Sequence, residues 1–388
     1  MSALRVLLTN CVLRGPSGTE MYLYDVAKRL LARGHRPIVY SPVLGPLAQR
    51  FSMATISVVS DLTLLSDKPD VIHGQHSLET VQALLHFPAT PAIYVCHDWN
   101  WVHDTPPKLP RVRRFIAVDE TVRDRLMIQE GIAESLIEVV YNGVDMDRFR
   151  PRPPLPRRPQ KALVISNYLE PSQLNVISTA CQRQGIELDA IGAKLGGSCP
   201  RPEDVLGKYD VVFAKGRCAW ESLAVGASVI VCDTWGVGPL VATTELTSLR
   251  RANFGRRLLQ RPLHIDTIVR ELSRYDAADA GEVSRQIRAT ASVELTVDRL
   301  LECYAAAIED HGAAPMDMAA DMRATAAFLQ SWSATRCLPA SDSDAASERM
   351  RWIIRDELKR ARGTTGLRKW FRSIQKRYGL PVFLRRAA

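Results

Sequence analysis

Short apolar runs alternate with amphipathic helical patterns twice along this chain, and a proline-rich stretch separates the two series. Continuous apolar runs that alternate with helices read as parallel strands buried on both faces. In the first series such runs fall at 5–10, 36–40, 71–74, 92–97, 114–118 and 137–141, with helical patterns at 19–33, 78–86 and 120–130. This pattern predicts a doubly wound α/β domain over residues 1–150. Prolines at 151, 153, 154, 156 and 159 then remove backbone donors and favour extended backbone. Residues 151–161 are therefore expected to form a connector of limited flexibility. The second series places strands at 162–166, 187–191, 209–213 and 229–232, and helices at 171–183, 217–225 and beyond 244. A helix at 296–308 is expected to close a second Rossmann-like domain of residues 162–312. Two such domains on a short connector leave a cleft between the carboxyl edges of their sheets, the default ligand site.

Composition supports two packed domains and narrows the partners. At 388 residues the chain is too long for one ordinary α/β domain, and with 46% apolar residues it can bury a large core. No run approaches the ~20 apolar residues of a spanning helix. The N-terminus passes directly into Val6-Leu7-Leu8 without the pattern of a secretory leader, so a cytoplasmic protein is expected. Eight cysteines, at 11, 96, 181, 199, 218, 232, 303 and 337, include no C-x-x-C pair and read as reduced, mostly buried thiols.

The net charge of +9 is concentrated at one end. Residues 351–388 hold twelve basic residues against Asp356 and Glu357, which leaves the rest of the chain near neutral. The body is not a polyanion binder, and no nucleic-acid module is recognisable. Residues 313–388 read as a helical, basic appendage. Within 366–388, Leu367, Trp370, Phe371, Ile374 and Tyr378 fall on one helical stripe, with Arg368, Lys369, Arg372 and Lys376 opposite. Such a segment suits either an anionic membrane surface or packing against the first domain.

Four segments carry chemistry. Gly15-Pro16-Ser17-Gly18-Thr19-Glu20 is a glycine loop entering a helix, where free N–H groups can face an anion or a sugar. Ala92–His97 is an apolar strand that ends in His97 and Asp98, where an imidazole can donate to or accept from a substrate hydroxyl. His73 and His76 follow the preceding strand, and His103 lies in the loop with Trp99 and Trp101. Asn142-Gly143-Val144-Asp145 forms a turn that aims the chain at the connector. Asp145-Met146-Asp147 is not read as a metal site, because these acids start the exit from the domain. The fourth segment runs from Asp210 to Gly226. A strand ends near Ala214, Gly216 permits close approach, and Lys215 and Arg217 at the helix start suit a diphosphate. Glu221, one turn on, can take two hydrogen bonds from a ribose diol, and the same spacing equally permits an Arg217–Glu221 ion pair.

Taken in order, these segments resemble the retaining GT-B-fold glycosyltransferases often called family 4. Ser17-Gly18-Thr19-Glu20 resembles the family's glycine loop and glutamate, and Cys96-His97-Asp98 resembles its strand-end histidine. Asn142-Gly143-Val144-Asp145 with Phe149 and Pro151 resembles the signature before the linker. Trp220–Gly226 resembles the helix carrying the second glutamate of the E-x7-E motif, and Gly236-Val237-Gly238 after Asp233 the following glycine turn. The resemblance covers roughly residues 1–310. It implies a hexosyltransferase that moves a sugar from a nucleotide-diphosphate donor to a glycan or lipid-linked acceptor, without metal or other cofactor. It further implies catalytic roles for His97, Lys215 and Arg217, and donor contacts from Asn167, Gly216, Glu221 and Asp233. Gly18, Thr19 and Glu20 would face the acceptor.

Two family features are absent. Phe213 stands where the first glutamate of E-x7-E belongs, and Ser166-Asn167-Tyr168-Leu169-Glu170 replaces the basic pair that grips the diphosphate. A sugar-nucleotide epimerase and a catalytically degenerate partner subunit are the alternative readings.

Overall fold

A computed structural model describes residues 3–99, 101–197, 199–313 and 317–337, the last five by backbone alone. The chain divides into two compact units, Met1–Thr325 and Ala326–Ala388. The expected basic segment at 366–388 lies outside the described residues. Within the second unit, the rings of Phe328 and Trp332 stack with centroids 6.0 Å apart.

The first unit holds two sheets. The chain opens with β1 (Arg5–Thr9), α1 (Gly18–Ala32), β2 (Arg36–Tyr40), α2 (Pro46–Met53) and β3 (Ser57–Val59). It continues through β4 (Val71–Gly74), α3 (Ser77–His86), β5 (Ala92–Cys96), β6 (Val112–Ala117), α4 (Glu120–Asp124) and β7 (Ile137–Val139). These seven strands form one parallel sheet in the order β3-β2-β1-β4-β5-β6-β7. Leu7 is flanked by Ile38 and Ile72, and Val6, Leu7 and Leu8 are fully buried. That two-sided burial is why these strands are apolar without alternation.

The second series runs through β8 (Lys161–Ile165), α5 (Pro171–Arg183), β9 (Glu187–Ile191), β10 (Val211–Ala214), α6 (Gly216–Val225), β11 (Ser228–Asp233) and β12 (Gly236–Leu240). The helices α7 (Leu246–Arg251), α8 (Ile265–Leu272) and α9 (Ala277–Thr290) follow. The strand order is β12-β11-β10-β8-β9, with β12 antiparallel to β11. One core, including Trp220, Leu223 and Ile287, lies under α6 and α9; the other, including Ile177 and Ile268, lies under α5 and α8. The expected glycine turn at 236–238 is instead the start of β12, and the reversal occurs at Thr234-Trp235, with Asp233 paired to Gly236. Gly236 has φ 145°, a conformation side-chained residues rarely adopt, and a Cβ there would meet the Arg261 carbonyl at 2.4 Å.

Two helices follow: α10 (Val293–Ala313) and α11 (Met318–Cys337). Helix α10, expected to close the second domain, packs instead on α1 and on β4, β5 and β6 of the first sheet. Tyr304 of α10 meets His73 at 2.7 Å, and Asp310 pairs with Arg114 at 2.5 Å. The Asn142–Phe149 segment makes the complementary crossing. Val144 bridges Ser292, and Phe149 is fully buried in the core beneath α6. The proline connector is tied down as well: the Arg152 N–H donates to the Val225 carbonyl, and Tyr275 donates to the Pro156 carbonyl, both at 2.8 Å.

Candidate active site

The carboxyl ends of the central strands in the first sheet build a neutral, hydrogen-bonded corner. Gln75, just after β4, is fully buried. Its backbone is fixed by the Thr9 hydroxyl at the end of β1, which donates to the Gln75 carbonyl at 2.9 Å. Its side-chain amide donates to the Thr19 carbonyl at 3.4 Å and to Asn10 Oδ1 at 3.5 Å. That leaves Gln75 Oε1 to accept from His97 Nε2, 2.9 Å away at the end of β5. The imidazole therefore carries its proton on Nε2 and presents Nδ1 as an acceptor. Burial, with smaller contributions from His73 and Arg217, pushes the His97 pKa down to about 3, so the ring is neutral. Tyr22 packs edge-on against it at 4.7 Å.

The glycine loop adjoins this corner through Thr19. A Cβ on Gly18 would meet no atom within 4 Å, so the start of α1 is open. Glu20 is buried and held by the hydroxyls of Ser17 and Thr19, and burial raises its pKa to about 7. On the far side, Asp104 accepts the backbone N–H groups of His97 and Asp98, each at 2.7 Å, which fixes the loop after β5.

The facing corner in the second sheet is charged. Its switch point lies between β8 and β10, from which the chain winds outward in both directions. Lys215 caps the start of α6, and Gly216 follows with φ 54° and open space around it. Lys215 Nζ pairs with Asp233 at 3.2 Å and lies 5.0 Å from the Tyr168 ring and 4.7 Å from the Trp235 ring. Arg256 sits 4.7 Å from the same indole. Asp233 is 1% exposed and also accepts from Ser166 Oγ at 2.6 Å. It therefore orients Lys215 and offers no surface to a donor, contrary to the direct contact expected of it. Asn167 stands apart, accepting the Ala193 N–H at 3.1 Å between the loops after β8 and β9.

Arg217 and Glu221 form the ion pair that their spacing permits, Nε to Oε1 at 2.7 Å. Glu221 is 4% exposed and faces the guanidinium, so the ribose contact expected of it requires that pair to open. Burial raises its pKa. The other end of Arg217 reaches Asp25 on α1, which Arg148 also contacts at 2.9 Å. Phe213, at the missing glutamate's position, is core. The acids Asp145 and Asp147 are held by Arg29 at 2.8 and 3.2 Å, away from the cleft.

The structure thus places Lys215, Gly216, Arg217 and Glu221 at the start of α6, and Arg217 reaches across to α1, which begins at the Gly18–Glu20 loop and packs Tyr22 against His97. Gln75, Asp25, Arg148, Tyr168 and Trp235 join them without having been expected from the sequence. Further ion pairs hold the two sheets together beside the cleft, Arg251 to Glu120 at 2.5 Å and Arg257 to Asp124 at 2.6 Å.

Residues 16–148 match the sequence profile of Glycosyltransferase Family 4. No curated protein sequence matches the chain. Among solved structures, a glycosyltransferase from Rickettsia africae superposes with a TM-score of 0.59 at 15% identity, over 79% of this chain and 99% of that one. Anabaena HepE in complex with UDP and glucose gives a TM-score of 0.57 at 14% identity, over 78% of this chain and 99% of its own. HepE with UDP-glucose gives 0.56 at 15%, with the same coverage. At these identities the structural likeness shows the fold alone, and the profile match covers only part of the first domain. Together they give the chain the two-domain GT-B fold, with the match to Glycosyltransferase Family 4 confined to residues 16–148 of the first domain.

Proposed function

We propose that this chain transfers a hexose from a nucleotide-diphosphate sugar to a glycan or lipid-linked acceptor, with the donor on the second sheet and the acceptor on the first. The observation that carries this reading is the reach of Arg217 on α6 across to Asp25 on α1, about one turn from the Tyr22 that packs against His97. A cation at the start of α6 thus faces a neutral acceptor group across the cleft. The first donor to try is UDP-glucose, because HepE of the same fold was crystallised with it.

In this reading the donor diphosphate lies at the start of α6. Lys215, Arg217 and the helix dipole there offset the charge that grows as the glycosidic bond breaks. That supply of positive charge is the argument for transfer without a divalent ion. His97 Nδ1 accepts from a sugar hydroxyl, and Gln75 holds the tautomer. Glu20 and the open start of α1 face the acceptor. Retention at the anomeric carbon is part of the proposal and follows from the family resemblance alone. The amphipathic sequence at 366–388 favours a lipid-linked acceptor at an anionic membrane surface. Among the described residues no helix is long and apolar enough to cross a membrane.

The mutual pairing of Arg217, Glu221 and Asp25 favours one second reading, a partner subunit whose donor site is internally neutralised. Both readings meet in one assay. Nucleoside diphosphate release from UDP-glucose and a panel of other nucleotide sugars is measured with EDTA, over short-glycan and polyprenyl-linked acceptors. Transfer to any acceptor supports the enzyme, and NMR of the new linkage tests retention. Binding without turnover across the panel would leave the partner reading.

A further inference from the structure

We infer that Arg148 and Arg217 form a two-arginine anion clamp, which Asp25 occupies in the ligand-free protein and a phosphate-bearing ligand takes over. The inference rests on the proposed donor site for its biological ligand, but not for its test. Three segments distant in sequence meet here: Asp25 on α1, Arg148 just ahead of the proline connector, and Arg217 on α6. Asp25 is 2% exposed, and both guanidinium groups approach its single oxygen Oδ2.

The fit is incomplete on both sides. Asp25 Oδ1 is buried without a hydrogen-bond partner, and so are Nε and Nη1 of Arg148. Arg148 is not loose, since Asp145 accepts its backbone N–H at 3.2 Å and its guanidinium lies 4.9 Å from the Phe149 ring. Held in this way, it keeps most of its donors unused in a buried place, which is costly. A carboxylate bound through one oxygen cannot meet two forked guanidinium groups. A phosphate, with more acceptor oxygens, can take paired hydrogen bonds from both. Glu221 neutralises only the Nε edge of Arg217, so the edge facing Asp25 is the one a ligand would take over.

Asp25 therefore acts as an internal stand-in that holds the arginines ready and competes with the incoming anion. The competition lowers affinity, and releasing Asp25 also loosens the link between α1 and α6.

The test is calorimetric titration of the full chain with inorganic pyrophosphate and, separately, orthophosphate. Asp25→Asn should bind pyrophosphate roughly tenfold or more tightly, and Arg148→Gln roughly tenfold more weakly, the scale of one charge-assisted hydrogen bond made or broken. The double variant should lose the gain of Asp25→Asn. A comparable gain for orthophosphate supports a clamp sized for one phosphate group; a gain for pyrophosphate alone supports a diphosphate clamp. Arg148→Gln leaves the Asp25–Arg217 pair intact, so it decides the matter if Asp25→Asn does not fold. Unchanged pyrophosphate affinity in folded Arg148→Gln overturns the inference. Sugar transfer with that affinity unchanged removes the clamp and keeps the enzyme; shifted affinity without transfer does the reverse.

Discussion

The two corners that face each other across the cleft solve the problem of buried polarity in opposite ways. The corner on the first sheet is neutral: Gln75, His97 and Thr19 satisfy one another through hydrogen bonds, and His97 keeps an acceptor atom to spare. The corner on the second sheet is ionic, with Lys215 on Asp233 and Arg217 on Glu221 and Asp25. A neutral network can receive a sugar hydroxyl without first breaking anything. The ionic corner has to give up a pair before it can hold a diphosphate. On the proposed assignment of donor and acceptor, acceptor recognition is preformed and donor recognition is an exchange of partners.

The largest effect should come from breaking the ionic corner. Arg217→Ala leaves Glu221 buried without its cation and Asp25 with Arg148 alone, a loss of about 3–5 kcal/mol in stability for a buried pair of this kind. It also removes charge from the departing diphosphate, for which a fall of about 10²–10³ in turnover is expected. Chemical denaturation and donor turnover read the two effects separately. A variant as stable as wild type would mean that the arginine is not the hub of this corner.

The neutral corner should break more gently. Gln75→Leu removes the acceptor for His97 Nε2 and costs about 1–3 kcal/mol, the penalty of a buried group left unpaired. Turnover should fall by up to about a hundredfold, the lower end of what one positioned proton-handling group contributes, with donor KM little changed. Lys215→Ala should instead raise donor KM. A donor KM that moves with Gln75 and not with Lys215 would reverse the assignment of the two corners.

The asymmetry was only partly legible in the sequence. Apolar runs announced the central strands because two-sided burial leaves no other composition for them. The short strand β3 and the hairpin strand β12 escaped, the first for its brevity and the second because Gly236-Val237-Gly238 reads as a turn. Lys215, Gly216 and Arg217 were found because they follow a strand and start a helix. Their partners were not. Asp25 is 192 residues from Arg217, and nothing local marks it as the carboxylate that α6 would meet. Gln75 carries no local signal beside the histidines around it, although a fully buried amide is the natural holder of an imidazole tautomer. Helix α10 packs on the first sheet and not the second: amphipathicity says that a helix has a buried face, not which sheet receives it.

The first sheet's corner also has the sharper pH response. His73, His76 and His97 are all pushed down to about 3 by burial, from an ordinary value of 6.5. Their folded pKa values lie below the unfolded one, so the unfolded chain binds more protons and stability falls as pH drops from about 6.5 toward 3. Glu20 and Asp104 are raised by burial to about 7 and about 8, so their contribution is lost as pH rises through those values. Denaturation midpoints between pH 4.5 and 9 should peak at roughly pH 6–7. Glu20→Gln should flatten the alkaline side, and an unchanged alkaline slope would place that titration elsewhere.

The smallest effect belongs to the aromatic rim of the ionic corner. Trp235 is 44% exposed and flanks both Lys215 and Arg256. Removing an exposed indole from two cations costs about 0.5–1 kcal/mol per contact, which corresponds to a donor KM raised by a few-fold. Trp235→Phe should recover part of that, since a smaller ring retains a weaker quadrupole. Trp101, 42% exposed and beside His76, is its counterpart on the first sheet and should act on acceptor KM alone. The pair forms a crossed test of the division between corners. If Trp235→Ala changes acceptor KM and leaves donor KM alone, the aromatic rim serves the acceptor, and the donor lies nearer to the clamp at Arg148.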